Sequence, residues 1–279
     1  MAKKQARTSE HRFRRWLLPA LLLIIFLSTL GYLGYQHFQE LYARIQPLKV
    51  YEPKGKIVKR SDPSYAAEIL KMIQWNPHAD QKEDKIGYVA IPSQHILLPI
   101  YVNPYSSQTL NLGAASVKGQ QLGQKSNYSL AAHNFNNHVT GFSPLQLTEN
   151  QNAPYLTSSG THDVHGLDGI KVYAADKENL YVYRVVVQNT VYKDQVSVMD
   201  PANTIGKQPT LTIISCLFPN INYRIITRAV LSKKYPLMTA PKTLLRIFDM
   251  RLNQTNAHVN WFNPGQEEGS NGAMGGFKK

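Results

Sequence analysis

Twenty consecutive residues, Trp16 to Tyr35 (WLLPALLLIIFLSTLGYLGY), carry no charge. As a helix such a run reaches about 30 Å, the thickness of a bilayer's hydrocarbon core. It divides the chain into a short leading segment and a long remainder that must fold on the far side of a membrane. Lys3, Lys4, Arg7, Arg12, Arg14 and Arg15 precede the run against one acid, Glu10. That excess of basic residues places the N-terminus in the cytoplasm. Trp16, Tyr32 and Tyr35 stand at the two ends, where aromatic belts are expected. A cleaved signal peptide has a shorter apolar region and a small-x-small cleavage site. The length here and the stretch Tyr32-Leu33-Gly34-Tyr35-Gln36 fit neither, so the run reads as an uncleaved, single-pass anchor.

The formal net charge of +13 needs a partner or a surface to explain it. Nucleic acid is set aside, because no helix-turn-helix, zinc-finger or RNP pattern is present. An anionic membrane surface or cell wall is the natural alternative. The chain has one cysteine, Cys216, so no disulfide can form within it. A domain outside the cell must then be held by packing. A lone thiol kept where oxidation threatens points to use, although a cysteine ending an apolar strand is also a small buried hydrophobe.

Residues 1–15 read as a cytoplasmic basic tail, 16–35 as the transmembrane anchor and 36–80 as an extracellular stalk. Within the stalk, Ser61-Asp62-Pro63 is a helix-start signal, and Ala66, Ile69, Leu70 and Ile73 follow at helical spacing. Residues 81–236 have a different texture. The runs Ile86 to Ile91 and Ile96 to Val102 form a hairpin pattern. Asn127 to His133, Ile170 to Ala174, Leu180 to Val187, Leu211 to Cys216 and Tyr223 to Leu231 read as further strands. Short strands with little helix indicate a mainly β domain, a barrel or a sandwich. Asn134 to Gly169 is a long irregular stretch of the kind that is functional or mobile. In the tail, 237–279, Lys242 to Leu252 has the pattern of a basic amphipathic helix, and the Gly- and Asn-rich end reads as disordered.

Three side chains fall at the ends of these strands. Cys216 ends one, His133 ends another, and Arg224 opens the strand eight positions after the cysteine. A free thiol is mostly protonated at neutral pH, so a nucleophilic cysteine needs cationic help. A histidine can give it, and a guanidinium can stabilise a developing oxyanion. Each residue also has a structural explanation when taken alone. Arg228 lies four positions beyond Arg224, an even offset that puts both on one strand face. His162 and His165 hint at a metal, but no third and fourth ligand stand near.

Together these stretches resemble the sortases, the cysteine transpeptidases of Gram-positive cell surfaces. The family's Thr-Leu-x-Thr-Cys motif stands here as Thr212-Ile213-Ile214-Ser215-Cys216, and its Leu-Ala-Gly-His as Leu130-Ala131-Ala132-His133. Tyr223-Arg224-Ile225-Ile226-Thr227 matches the arginine position better than Arg228 does, and Phe142-Ser143-Pro144-Leu145 also fits. The resemblance covers roughly residues 80–235 and the anchor, with a longer insertion at about Leu147 to Gly166.

The resemblance implies a closed β-barrel of about eight strands with short helices, preceded by one transmembrane helix. It implies Cys216, His133 and Arg224 as catalytic residues, with Ala132, Ser215 and Ile214 against the substrate. The substrate is then a surface protein's C-terminal Leu-Pro-x-Thr-Gly (LPxTG) signal, cut between Thr and Gly and joined to the amine of a lipid-linked peptidoglycan precursor. An N-terminal anchor without a C-terminal span resembles class A. Ser61-Asp62-Pro63-Ser64-Tyr65 is faintly like the lid of the pilin-polymerising class C, which is the alternative, beside a non-catalytic, membrane-anchored wall-binding β-domain. The Ser-His-Gly-Cys motif of L,D-transpeptidases is absent. No cofactor or metal is expected, calcium included, since Asn103 to Asn111 has no carboxylate.

Overall fold

The computed structural model describes residues 19–35, 50–57, 60–73, 85–251 and 257. The basic tail, Trp16, the stalk before Val50 and the expected disordered end lie outside these. Residues 19–35 form helix α1, which belongs to a separate unit, Met1–Gln46, from the rest of the chain. Its leucines and isoleucines are exposed. Ser28 and Thr29 donate their hydroxyls back to carbonyls of the same helix, Ser28 to Ile24 at 2.6 Å and Thr29 to Phe26 at 2.8 Å. These two hydroxyls are thus satisfied within the helix. Among the described residues no helix is long and apolar enough to cross a membrane.

In the second unit, helix α2 (Pro63–Ile73) starts where Asp62 accepts from the backbone N–H of Tyr65 at 3.1 Å. Strands β1 (Lys85–Ile91) and β2 (Ile96–Val102) form the hairpin read from the sequence. The short helix α3 (Ser107–Leu112), capped by Ser106, leads to β3 (Ala114–Ser116), which runs parallel to β2. β4 (Asn127–Ala131) pairs antiparallel with β3. The long loop carries a 3-10 turn at Ser143–Leu145 and a ribbon of β5 (Leu156–Thr157) and β6 (Gly160–Thr161). Then come β7 (Lys171–Ala175), β8 (Asn179–Tyr192), β9 (Thr210–Cys216) and β10 (Tyr223–Pro236).

The sheet closes into an eight-stranded barrel in the order β1-β2-β3-β4-β9-β10-β8-β7. Of the two forms of β domain that the strand pattern allowed, the chain adopts the barrel, the form the family resemblance implied. Alternate residues point into the barrel, where Leu98, Ile100, Leu130, Leu211, Ile213 and Tyr183 make the main core. β8 and β10 both run longer than their apolar runs. In β8 the polar Gln188 and Thr190 are buried yet paired: Gln188 accepts from Tyr155 Oη at 2.9 Å and donates to the Leu145 carbonyl at 3.1 Å. Such satisfied amides break a hydrophobic pattern without breaking a strand.

Helix α2, expected in the stalk, packs on the outside of the barrel. Ala66, Ile69 and Ile73 are buried with Tyr88, Leu97 and Val182, and each buried isoleucine contributes about 1.5–3 kcal/mol. The C-terminal amphipathic helix is shorter than its pattern, a turn at α4 (Lys242–Leu245) continued as 3-10 helix to Phe248. Its apolar residues Leu244, Leu245, Ile247 and Phe248 are buried in the same cluster. Asp249 joins the two pieces. It accepts from Tyr65 Oη at 2.9 Å and from Arg251 Nη2 at 2.6 Å. The Arg251 hydrogen bond, opposed by burial and helped by Tyr65, holds the Asp249 carboxyl below the usual range.

A carboxyl held low stabilises the fold above its unfolded pKa near 3.9, and that stability is lost as pH falls through the lower folded value. Asp249→Asn should therefore be less stable than the parent at pH 7, by about 1 kcal/mol. Thermal unfolding from pH 7 to 3 should show the gap closing below about pH 4; a constant gap would mean that the carboxylate charge is not what holds the joint.

Candidate active site

β9 lies between β4 and β10, and the candidate residues sit at one end of these three strands. In the parallel β4–β9 ladder Ala131 pairs with Ile214, and the backbone N–H of Ala132 donates to the Ile214 carbonyl at 3.2 Å. His133 and Cys216 each lie two residues beyond that pair. In the antiparallel β9–β10 ladder Arg224 is the direct partner of Cys216, whereas Arg228 is the partner of Thr212. Four residues along a strand is about 13 Å. Arg228 is also engaged elsewhere, donating to the Asn203 carbonyl at 2.6 Å. The register therefore separates two arginines that periodicity could not.

Side-chain alternation assigns the faces. Leu130, Ala132 and Ile213 belong to the barrel interior. Ala131, Ile214 and Ile226 belong to an outer apolar cluster with Leu110, Ala115 and Met199. Cys216 and Arg224 continue the outer series, and Arg224 lines a small cavity with Ile214, Val191, Val198 and Met199. Of the three residues the resemblance sets against the substrate, Ile214 lies on this outer floor. Ala132 packs into the interior, and Ser215 is paired with Ile225, whose side chain joins Tyr155, Val164 and Leu217.

Cys216, His133 and Arg224 are 2%, 3% and 2% exposed. In a recess of that kind charges act on one another more strongly than in water. His133 Nε2 lies 2.8 Å from the Oδ1 of Asn111, at the end of α3, an oxygen suited to accept from a protonated ring nitrogen. The imidazole also meets the ring of Phe135, with centroids 5.1 Å apart. Arg224 turns back on the β9–β10 connection and donates Nη1 to the carbonyls of Ile221 at 2.6 Å and Tyr223 at 3.2 Å. His162 and His165 are elsewhere, the first against Thr157 and Ser159, the second against Asp168 at 2.7 Å.

The wall of the recess is the β8–β9 connection, pinned by neutral amides. Asn127 donates to the Val198 carbonyl at 2.8 Å and accepts from Thr212 at 2.7 Å, and Gln120 donates to the Met199 carbonyl at 2.7 Å. A thiol, an imidazole and a guanidinium at one strand end above an apolar floor can supply a nucleophile, a proton donor and an oxyanion donor. The sequence reading missed Asn111, which lies 22 positions from His133 in the chain and carries no motif of its own.

The sequence profile described as the sortase domain matches residues 89–232, more than half of the 279-residue chain. The chain belongs to the sortase family. Sortase A of Streptococcus agalactiae serotype III (strain NEM316) is 29% identical over 277 residues, 92% of this chain and 100% of that protein. Sortase A of Listeria monocytogenes serovar 1/2a (strain ATCC BAA-679 / EGD-e) is 29% identical over 135 residues, 48% of this chain and 50% of that one. The solved structure of Listeria monocytogenes sortase A aligns with a TM-score of 0.43 and 26% identity, over 55% of this chain and 90% of that chain. This sortase is thus an enzyme of the cysteine transpeptidase type, with one cysteine in the whole chain, Cys216.

One backbone contact behind the histidine is testable. Gly141 has φ +57, and a Cβ there would collide with the His133 carbonyl. The next residue, Phe142, donates its N–H to that same carbonyl at 2.7 Å. Gly141→Ala should displace His133 and lower the transpeptidation rate about 10- to 100-fold. A steady-state assay with unchanged turnover would show that the loop absorbs the methyl without moving the imidazole.

Proposed function

We propose that this sortase is a membrane-anchored, class A-type transpeptidase that cuts a Leu-Pro-x-Thr-Gly signal between Thr and Gly and transfers the Thr acyl group to a peptidoglycan-precursor amine. The observation that carries the reading is the cross-strand pair Cys216–Arg224 beside the histidine-bearing strand. Cys216 attacks the Thr carbonyl as thiolate. Arg224 stabilises the oxyanion of the tetrahedral adduct. His133, protonated, gives its proton to the departing Gly nitrogen as the C–N bond breaks, leaving a thioester. The incoming amine then attacks, His133 takes its proton, and Cys216 leaves as thiolate, which restores the starting pair. Dividing the reaction in two lets an amine replace water as the acceptor.

Ile214 and the outer apolar cluster would floor the groove for the signal's apolar residues, while Ala132 and Ser215 would act from behind, by packing. The uncharged run 16–35 is long enough to hold the enzyme in the membrane, with the barrel on the extracellular face. Both substrates, the exported protein and the lipid-linked precursor, would then meet it there at raised effective concentration. Asp62, the lid-like residue, is engaged as the cap of α2 and in an ion pair with Lys242 at 2.7 Å. That supports the class A reading over the class C alternative.

The full chain in detergent should cleave a Leu-Pro-x-Thr-Gly peptide and join its Thr to an added amine, as read by mass spectrometry. Cys216→Ala should abolish both steps. Arg224→Ala should lower kcat/KM by about 10²–10³, with Arg228→Ala much milder. Transfer by Cys216→Ala would end the proposal, and equal losses at the two arginines would remove Arg224 from its role.

A further inference from the structure

The β4–β9 ladder ends one step short of the two residues that matter. Beyond the last paired residues, Ala131 and Ile214, a backbone bond runs from Ala132 N–H to the Ile214 carbonyl. In a parallel ladder the next such bond would join the residue two further on in each strand, Asn134 N–H to the Cys216 carbonyl. The backbone does not continue so. Asn134 turns away to pair with Gly141, and its side chain supplies the missing rung. Asn134 Nδ2 donates to the Cys216 carbonyl at 2.8 Å.

The same amide group is fixed on its other sides. Nδ2 also donates to Gln146 Oε1 at 2.8 Å, and Oδ1 accepts from the backbone N–H of Asn136 at 2.8 Å. Gln146 in turn holds the chain just after the cysteine. Its Oε1 accepts from Phe218 N–H at 3.0 Å, and its Nε2 donates to the Phe218 carbonyl at 2.8 Å and to Thr148 at 2.7 Å. Asn134 is fully buried and Gln146 nearly so. In so dry a place every one of these bonds is costly to lose.

We propose that Asn134, braced by Gln146, is a positioning residue that locks the thiol-bearing and imidazole-bearing chain ends into one rigid frame. It touches neither substrate nor the reacting atoms. It acts through the main chain of Cys216 on one side and, as the neighbour of His133, through the histidine loop on the other. Preorganised geometry of this kind governs turnover more than binding. The inference rests on the proposed roles of Cys216 and His133.

The test uses the full chain in detergent with Asn134→Ala and the nearly isosteric Asn134→Asp, which keeps the volume and loses the donors. Turnover is expressed per folded molecule, taken from the amplitude of the thermal unfolding transition, because iodoacetamide would also alkylate the exposed thiol of a misfolded chain. Both variants should lose about 10- to 100-fold in kcat, keep KM within about threefold, and move the pH dependence of Cys216 alkylation. Asn134→Asp should partly recover below its carboxyl pKa, where a donor returns. Should neither variant fold, Gln146→Glu, which keeps the oxygen that Asn134 uses, is judged by the same readings. An unchanged kcat per folded molecule together with an unmoved alkylation profile overturns the inference, whatever happens to the melting temperature. A parent protein that does not turn over the peptide would instead overturn the functional reading, and the alkylation profiles would still decide on Asn134.

Discussion

The ladder that β9 makes with β4 on one side and β10 on the other is the constraint on which the site depends. It is parallel on the first side and antiparallel on the second. That combination brings the ends of two strands and the start of a third to one rim of the barrel. Parallel neighbours need a long crossover, and here the crossover contains the long loop, β7 and β8. The site is therefore assembled from segments far apart in sequence, and it exists only when the barrel is closed.

The rim is then finished by side-chain amides rather than by backbone. Asn111 meets the imidazole, Asn127 and Gln120 hold the wall of the recess, and Asn134 and Gln146 tie the cysteine's chain to the histidine's loop. Each is uncharged, so it fixes a carbonyl or a ring without adding a charge that would compete in a recess of low dielectric. Carboxylates in the same places would pull on the protons of a thiol and an imidazole.

Much of this was legible in the chain itself. The β1–β2 hairpin and the strands ending at His133 and Cys216 stood out because their apolar runs are bounded by turn residues. The choice between Arg224 and Arg228 was not settled by spacing, since an even offset looks the same along a strand. Register settled their places. The far end of β8 was hidden because buried Gln188 and Thr190 look like loop residues until their partners are seen, and that of β10 because Ser232, Lys233 and Lys234 are exposed and break the apolar run. Helix α2 was taken for stalk because its start signal and apolar stripe say that it packs, not on what. The amide supports could not be read at all, because asparagine and glutamine carry no spacing rule when their partners are backbone groups distant in sequence.

Arg224 also bears on selectivity between two oxygens. Its guanidinium already donates to two neutral carbonyl oxygens, those of Ile221 and Tyr223. To a guanidinium an intact amide carbonyl is one more neutral acceptor like these two, whereas a full negative charge on oxygen makes a bond roughly twice as strong. In its proposed role Arg224 therefore favours the oxygen that forms during bond breaking over the oxygen present when substrate arrives, and only that difference lowers a barrier.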